Sequence, residues 1–165
     1  MLGHCLTRRN VRDRPVAVTC VSQVVALYVA PERKAPMTSV PRVEAEAGRG
    51  LVGDRYHGTR HRHVSVQSRD ELAAATEAHG APVPEELTRR TLTLDHGPVP
   101  TEPGARLTVG DVVLEVVRRA APCRVMDTEI GPGAARAMHG RGGAICRVLT
   151  SGGIAVGDEV ALPET

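Results

Sequence analysis

Aromatic residues are almost missing from this chain: in 165 residues there is no Phe, no Trp, and only Tyr28 and Tyr56. Proteins that hold single-stranded nucleic acid stack bases on aromatic rings, so that class is a poor fit. The net charge of +2 is likewise too small for general attraction to nucleic acid. Core volume must come from Val, Leu, Ile and Ala, and β-branched side chains suit pleated, half-buried surfaces. Apolar runs approaching ~20 residues are also lacking, so no membrane-spanning helix is expected. The one stretch resembling a leader, "TRRNVRDRPVAVTCVSQVVALYVA", is interrupted by Thr19, Ser22 and Gln23 and alternates as a strand does. Four cysteines (Cys5, Cys20, Cys123 and Cys146) form no C-x-x-C pair. A chain this long needs no covalent staple, so reduced thiols and a cytoplasmic location are expected.

What is present reads as many short strands separated by turns, with little helix. Residues 1–14 are basic and patternless and are expected to be a disordered tail, leaving 15–163 as one domain. Apolar alternation marks strands in 16–29, 40–47 and 63–67. Ser68 and Glu71 have the spacing of a capping box, and Gly80 suits a helix end, so "SRDELAAATEAHG" predicts a helix. "PEELTRR" suggests one further helical turn before "TLTL". "ARLTVG" and "DVVLEVVRR" predict a hairpin turning at Gly110-Asp111, and "AICRVLT" and "EVALP" supply later strands. The class expected is therefore mainly β, a barrel or sandwich with one or two inserted helices.

Four places carry candidate chemistry. Cys146 sits in an alternating apolar stretch and can simply fill core space, whereas Cys123 follows Pro122 where a strand gives way to a loop. Arg118, Arg119 and Arg124 stand near it in sequence, and cationic neighbours favour a reactive thiolate or a metal ligand. Upstream, "GDRYHGTRHRH" interleaves Arg55, Arg60 and Arg62 with His57, His61 and His63 among glycines, a pattern suited to an anion because guanidinium meets phosphate with two parallel hydrogen bonds. A solvated basic loop explains the same residues. The three histidines could instead serve a metal, although no glutamate follows at the needed spacing. The other two places are "LTRRTLTLDHG", with Arg89 and Arg90, and "MHGRGGAICRVLTSGG", where Arg141 lies between glycines and His139 could pair with a thiolate.

Taken in order, "GRGLVGDRYHG…RHRHVSVQS", "RRTLTLDHG", "PGARLTVGDVVLEVVRRAAPC" and "HGRGGAICRVLTSGGIAVGDEV" resemble the MOSC domain family, named for the C-terminal domain of molybdenum-cofactor sulfurases. The resemblance implies a β-barrel and a cysteine, here Cys123, that ligates molybdenum or carries sulfur. It further implies a molybdenum cofactor (molybdopterin) whose phosphate is held by basic residues, by position Arg55, His57, Arg90 and Arg141. Reduction of N-hydroxylated or N-oxygenated small molecules is the activity implied, with electrons from a partner reductase, since no flavin or iron–sulfur motif is present. Two alternatives stand beside it: a carrier holding a Cys123 persulfide supplied by a sulfur donor protein, and a thiol hydrolase built on Cys123 and His139. The chain departs from many relatives in having Arg90-Thr91 where they have Glu-Asn, and in lacking a second cysteine shortly after Cys123.

Overall fold

The computed structural model describes residues 18–163; the expected N-terminal tail, residues 1–14, lies outside them. The long apolar stretch forms one strand, β1 (Val18–Val29), rather than two. It pairs with β11 (Glu159–Pro163) over Val18–Gln23 and with β6 (Leu92–Leu94) over Val24–Leu27, with one register shift inside each pairing, between Val18 and Cys20 and between Val24 and Ala26. Bulges of this kind bend a strand and let it serve two neighbours. Between these partners run β7 (Arg106–Val109), β8 (Val112–Arg119), β9 (Ala144–Val148) and β5 (Val64–Ser68). Their order, β11-β7-β8-β9-β5-β6-β1, closes through the β1–β11 pairing into a seven-stranded barrel. All pairs are antiparallel except β5 with β6.

The mainly-β barrel expected from the sequence is what the chain forms. In β8, Val112, Leu114 and Val116 are buried while Val113, Glu115 and Val117 are partly exposed, the period-2 pattern of a wall with one buried face. Gly110 takes φ 57 at the predicted hairpin. The main apolar cluster is aliphatic apart from Cys146, and includes Leu27, Leu51, Leu92, Leu94, Leu107 and Ile154.

Outside the barrel, β2 (Thr38–Ser39) extends the end of β1, and β10 (Gly152–Ala155), β3 (Arg42–Glu46) and β4 (Gly50–Leu51) make a second small sheet. The helix α1 (Arg69–His79) starts at the predicted cap, where Ser68 Oγ accepts from the Glu71 N–H at 3.3 Å, and ends at left-handed Gly80. The further turn is a 3-10 helix, Glu85–Thr88. Two short helices, α2 (Val125–Glu129) and α3 (Ala134–Ala137), pack on α1 through a second apolar cluster containing Leu72, Ala75, Met126, Ala134 and Met138. Among the described residues no helix is long and apolar enough to cross a membrane.

Candidate functional site

Cys123 lies in the loop between β8 and α2 and is exposed, whereas Cys146 is fully buried in the barrel and burial pushes its thiol up to about 12. The two sequence positions therefore divide as expected into an accessible thiol and a core thiol. Met126, 0% exposed three residues after Cys123, anchors α2 into the second apolar cluster and holds the loop down on that side. On the other side the loop is held by Arg90.

Arg90 is 2% exposed, with Nε donating to Gly142 O at 2.9 Å and Nη2 donating to Ala121 O at 3.1 Å. One planar guanidinium thus ties the glycine-rich segment before β9 to the backbone two residues ahead of Cys123. Gly142 leaves the room this requires: a Cβ there would lie 2.9 Å from both Arg90 Nη2 and Ala120 O. Gly143, at φ +72, would drive a side chain into the Val66 carbonyl. Gly142 is therefore a packing requirement of the Arg90 contact, and Gly143 of the close approach to β5. Arg89, just before, adopts φ 62 and donates from Nη1 to Ala35 O at 3.0 Å, turning the chain so that consecutive arginines serve different loops.

The loop 52–63 brings in further cations. Asp54 is a pin: its Oδ1 accepts from the Ala30 N–H at 3.1 Å, and its Oδ2 accepts from the Tyr56 N–H at 3.2 Å. Arg55 N–H donates to Ala30 O at 2.7 Å, and its side chain pairs with Asp54 at 3.5 Å. These contacts fix the loop to the end of β1. Tyr56 then receives two guanidinium groups, Arg55 at 4.5 Å and Arg62 at 4.2 Å from the ring centroid. Cation–π attraction to one ring lets two like charges share a small space.

Burial pushes the Arg62 guanidinium below its ordinary range; Tyr56 and Cys123 raise it, while Arg118 and Arg55 lower it further. Its Nε is buried without a hydrogen-bond partner. Arg90 is lowered to about 10, first by burial and then by Arg62, with Cys123 again acting in the opposite direction. Both groups stay charged at neutral pH. Cys123, Arg62, Arg90, Arg118, Tyr56 and Arg55 are thus one electrostatic neighbourhood. No carboxylate is paired with Arg62 or Arg90 among the described residues. Buried charge without an opposite partner costs several kcal/mol per ion, and an anion placed there would offset that cost.

Two hollows border this neighbourhood. One, of ≈ 130 Å³, is lined by Arg119, Ala120, Ala121, Pro122, His139 and Gly140, and so extends to the residue before Cys123. The other, of ≈ 140 Å³, includes Arg89 and Met37, whose sulfur accepts from Arg55 Nη1 at 3.2 Å.

Of the residues nominated from sequence, Arg55 and Arg90 share the Cys123 neighbourhood. His57 is directed elsewhere, with Nε2 2.8 Å from Glu46 Oε2. Arg141 donates from Nη1 to Ala137 O at 2.9 Å, at the end of α3. The histidine metal site does not form. His63 is 1% exposed; its Nδ1 accepts from Val148 N–H at 3.0 Å, and its Nε2 donates to Thr59 O at 2.7 Å, so it is a neutral structural imidazole. Among the described residues no three His, Cys, Asp or Glu side chains could hold a metal ion together. No direct hydrogen bond joins Cys123 to His139 among the described residues. Arg62, read from the sequence as part of a candidate anion loop, joins the site although the family resemblance did not nominate it; Tyr56 was missed, and a tyrosine among arginines in an aromatic-poor chain was the available signal.

Comparison with solved structures supports the barrel. The YuaD protein from Bacillus subtilis superposes with a TM-score of 0.74 at 20% identity, covering 86% of this chain and 94% of that one. YiiM from Geobacillus stearothermophilus gives 0.66 at 18% identity, covering 87% and 75%. YiiM from Escherichia coli gives 0.66 at 15%, covering 88% and 71%. No curated protein sequence matches the chain. The family model of the MOSC domain matches residues 53–161, a span that opens at the Asp54 pin and includes Arg62, Arg90, Cys123 and the Gly142-Gly143 doublet. The chain belongs to the MOSC domain family.

Proposed function

We propose that the protein holds the molybdenum cofactor with Cys123 as its ligand to the metal, and reduces N-hydroxylated or N-oxygenated small molecules with electrons from a partner reductase. The observation that carries this reading is an exposed thiol in one electrostatic neighbourhood with buried Arg90 and half-buried Arg62, neither paired with a carboxylate among the described residues, and with Arg62 Nε left without a partner. Such a cluster fits a group with an anionic end, since Arg binds phosphate through a fork of parallel donors. Cys123 is the one candidate sulfur ligand in the neighbourhood, and no three-residue metal nest accompanies it among the described residues. A metal held here would have to arrive with most of its ligands already attached, as it does in a metal-bearing pterin.

When bound, the cofactor supplies two-electron redox chemistry at molybdenum, which protein side chains cannot provide. The chain's own residues bind and orient. Arg62 and Arg55 would hold the anionic end against Tyr56. Arg90 keeps the Ala121–Cys123 backbone fixed while adding charge. His57 and Arg141 would first have to leave Glu46 and Ala137. His139 lines the smaller hollow beside Pro122, where an imidazole can give or take a proton next to a bound substrate.

Purification from a molybdopterin-competent host, followed by molybdenum analysis and intact mass, tests the reading. Wild type should carry the metal and Cys123→Ser should not. A persulfide on Cys123 with no molybdenum would establish the sulfur-carrier alternative, and neither adduct in wild type would overturn both.

A further inference from the structure

A second thiol, outside the Cys123 neighbourhood, is set in a different kind of environment. Cys20 lies near the start of β1, beside the segment that leaves the end of β6. Its Sγ is 3.6 Å from His96 Nε2, and His96 Nδ1 is 2.9 Å from Asp95 Oδ1. The order is sulfur, imidazole, carboxylate.

Asp95 is held firmly for this role. Its Oδ1 also accepts from Ser22 Oγ, from Gln23 N–H at 2.9 Å and from His96 N–H at 2.9 Å. With three hydrogen bonds on one oxygen and His96 Nδ1 beside it, the carboxyl is ionised: burial would raise it, but the hydrogen bonds from Ser22 and Gln23 prevail and bring it down to about 2. A carboxylate cannot donate, so the proton between Asp95 and His96 sits on Nδ1. Neutral imidazole carries one N–H, which leaves the Nε2 lone pair facing the Cys20 thiol. This is the orientation in which a histidine takes a proton from a nucleophile.

The sulfur is seated as well as paired. Gly97, at φ +92, lies beneath it, and a Cβ built there would come within 3.7 Å of Sγ and 3.2 Å of Leu162 Cδ1. Asp70 Oδ2 accepts from the Gly97 N–H at 2.8 Å and keeps that backbone in place. Cys20 is partly exposed and His96 exposed, so a small molecule can reach the pair.

We propose that Cys20, His96 and Asp95 form a second thiol site that undergoes exchange with small disulfides, making Cys20 a modification site independent of Cys123. The Cys20 proton passes to His96 Nε2, and Sγ attacks one sulfur of the disulfide. A new S–S bond forms as the old one breaks, and the departing sulfur takes the proton from His96. Cys20 is oxidised to the disulfide level while the leaving thiol is reduced, so no other oxidant is needed. A metal at this place is not supported, because no three-ligand group is present among the described residues.

The test uses the full chain and bis(2-hydroxyethyl) disulfide, a neutral probe insensitive to surface charge. Loss of free thiol is followed by peptide mass spectrometry, which reads Cys20 and Cys123 separately. Positioned proton transfer is worth ~10²–10⁴-fold. His96→Gln should therefore slow Cys20 about 100-fold or more while leaving Cys123 within about twofold, and thermal unfolding should confirm that this exposed substitution leaves the fold intact. Asp95→Asn should also slow Cys20; as Asp95 holds several backbone groups, His96→Gln is the deciding variant. An unchanged Cys20 rate in His96→Gln, or equal slowing at Cys20 and Cys123, would overturn the proposal. Its failure would leave the molybdenum reading untouched, because that reading does not use Cys20.

Discussion

The two ends of β6 carry opposite kinds of charge chemistry. Before its first residue stands Arg90, buried, cationic and without a carboxylate; just after its last stand Asp95 and His96, a carboxylate joined to an imidazole. β1 shows the same division: its far end is pinned to the Asp54-Arg55 loop, and its start holds Cys20 against His96. Unbalanced buried charge is a place to hold an anion, whereas a balanced donor–acceptor chain is a place to move a proton. One end bears on Cys123, which the loop after β8 delivers, and the other on Cys20, which β1 itself carries.

The contrast depends first on exposure, which Cys146 sharpens. With a thiol pushed up to about 12, its thiolate fraction at pH 8 is ~10⁻⁴, against roughly a quarter for an ordinary thiol. Iodoacetamide should alkylate Cys123 at least ~10³-fold faster than Cys146, and Cys146 should react only after denaturation; comparable rates by peptide mapping would contradict the buried barrel core.

The next largest effect belongs to Arg62. Hydrogen bonds to charged groups contribute about 1.5–3 kcal/mol, so Arg62→Met should weaken retention of the phosphorylated pterin by ~10–100-fold. Released pterin measured per protein reads this out, and the Cys20 exchange rate should not move. Arg90→Lys comes third. A single ammonium cannot satisfy Gly142 O and Ala121 O as the guanidinium fork does, so unfolding free energy should fall by ~1–3 kcal/mol in urea titrations, with faster alkylation of Cys123.

The smallest effect is at Glu71, where burial raises the carboxyl to about 7 from 4.5 despite hydrogen bonds from Ser68. The folded state binds this proton more tightly than the unfolded one. Its contribution is therefore full below pH 4.5 and is lost as pH rises toward 7. Glu71→Gln should flatten the fall in melting temperature between pH 4.5 and 7, by an amount under about 1 kcal/mol after solvent screening. An unaltered slope would remove Glu71 from the account.

Local chemistry was readable in the sequence; partnership across the chain was not. The α1 cap at Ser68, the Gly110 hairpin, the alternation of β8 and the contrast between Cys123 and Cys146 each depend on neighbours within a few residues. His63 looked like a ligand because its hydrogen-bond partner on β9, Val148, is 85 positions away. His57 was nominated by its position in the family resemblance, and its contact with Glu46, on β3, has no local sign in the sequence. Helices α2 and α3 went unread because one turn has no periodicity; Met126, Ala134 and Met138 hold them only once α1 is there to cover. Arg62 and Tyr56 became visible as a pair only when the loop closed on Ala30.

Molybdenum per protein in Cys123→Ser and Cys20→Ser, both purified from a molybdopterin-competent host beside wild type, is the most direct test. The account predicts that Cys20→Ser loads like wild type and that Cys123→Ser falls at least ~10-fold. Equal loading of the two variants, or loss confined to Cys20→Ser, would contradict it.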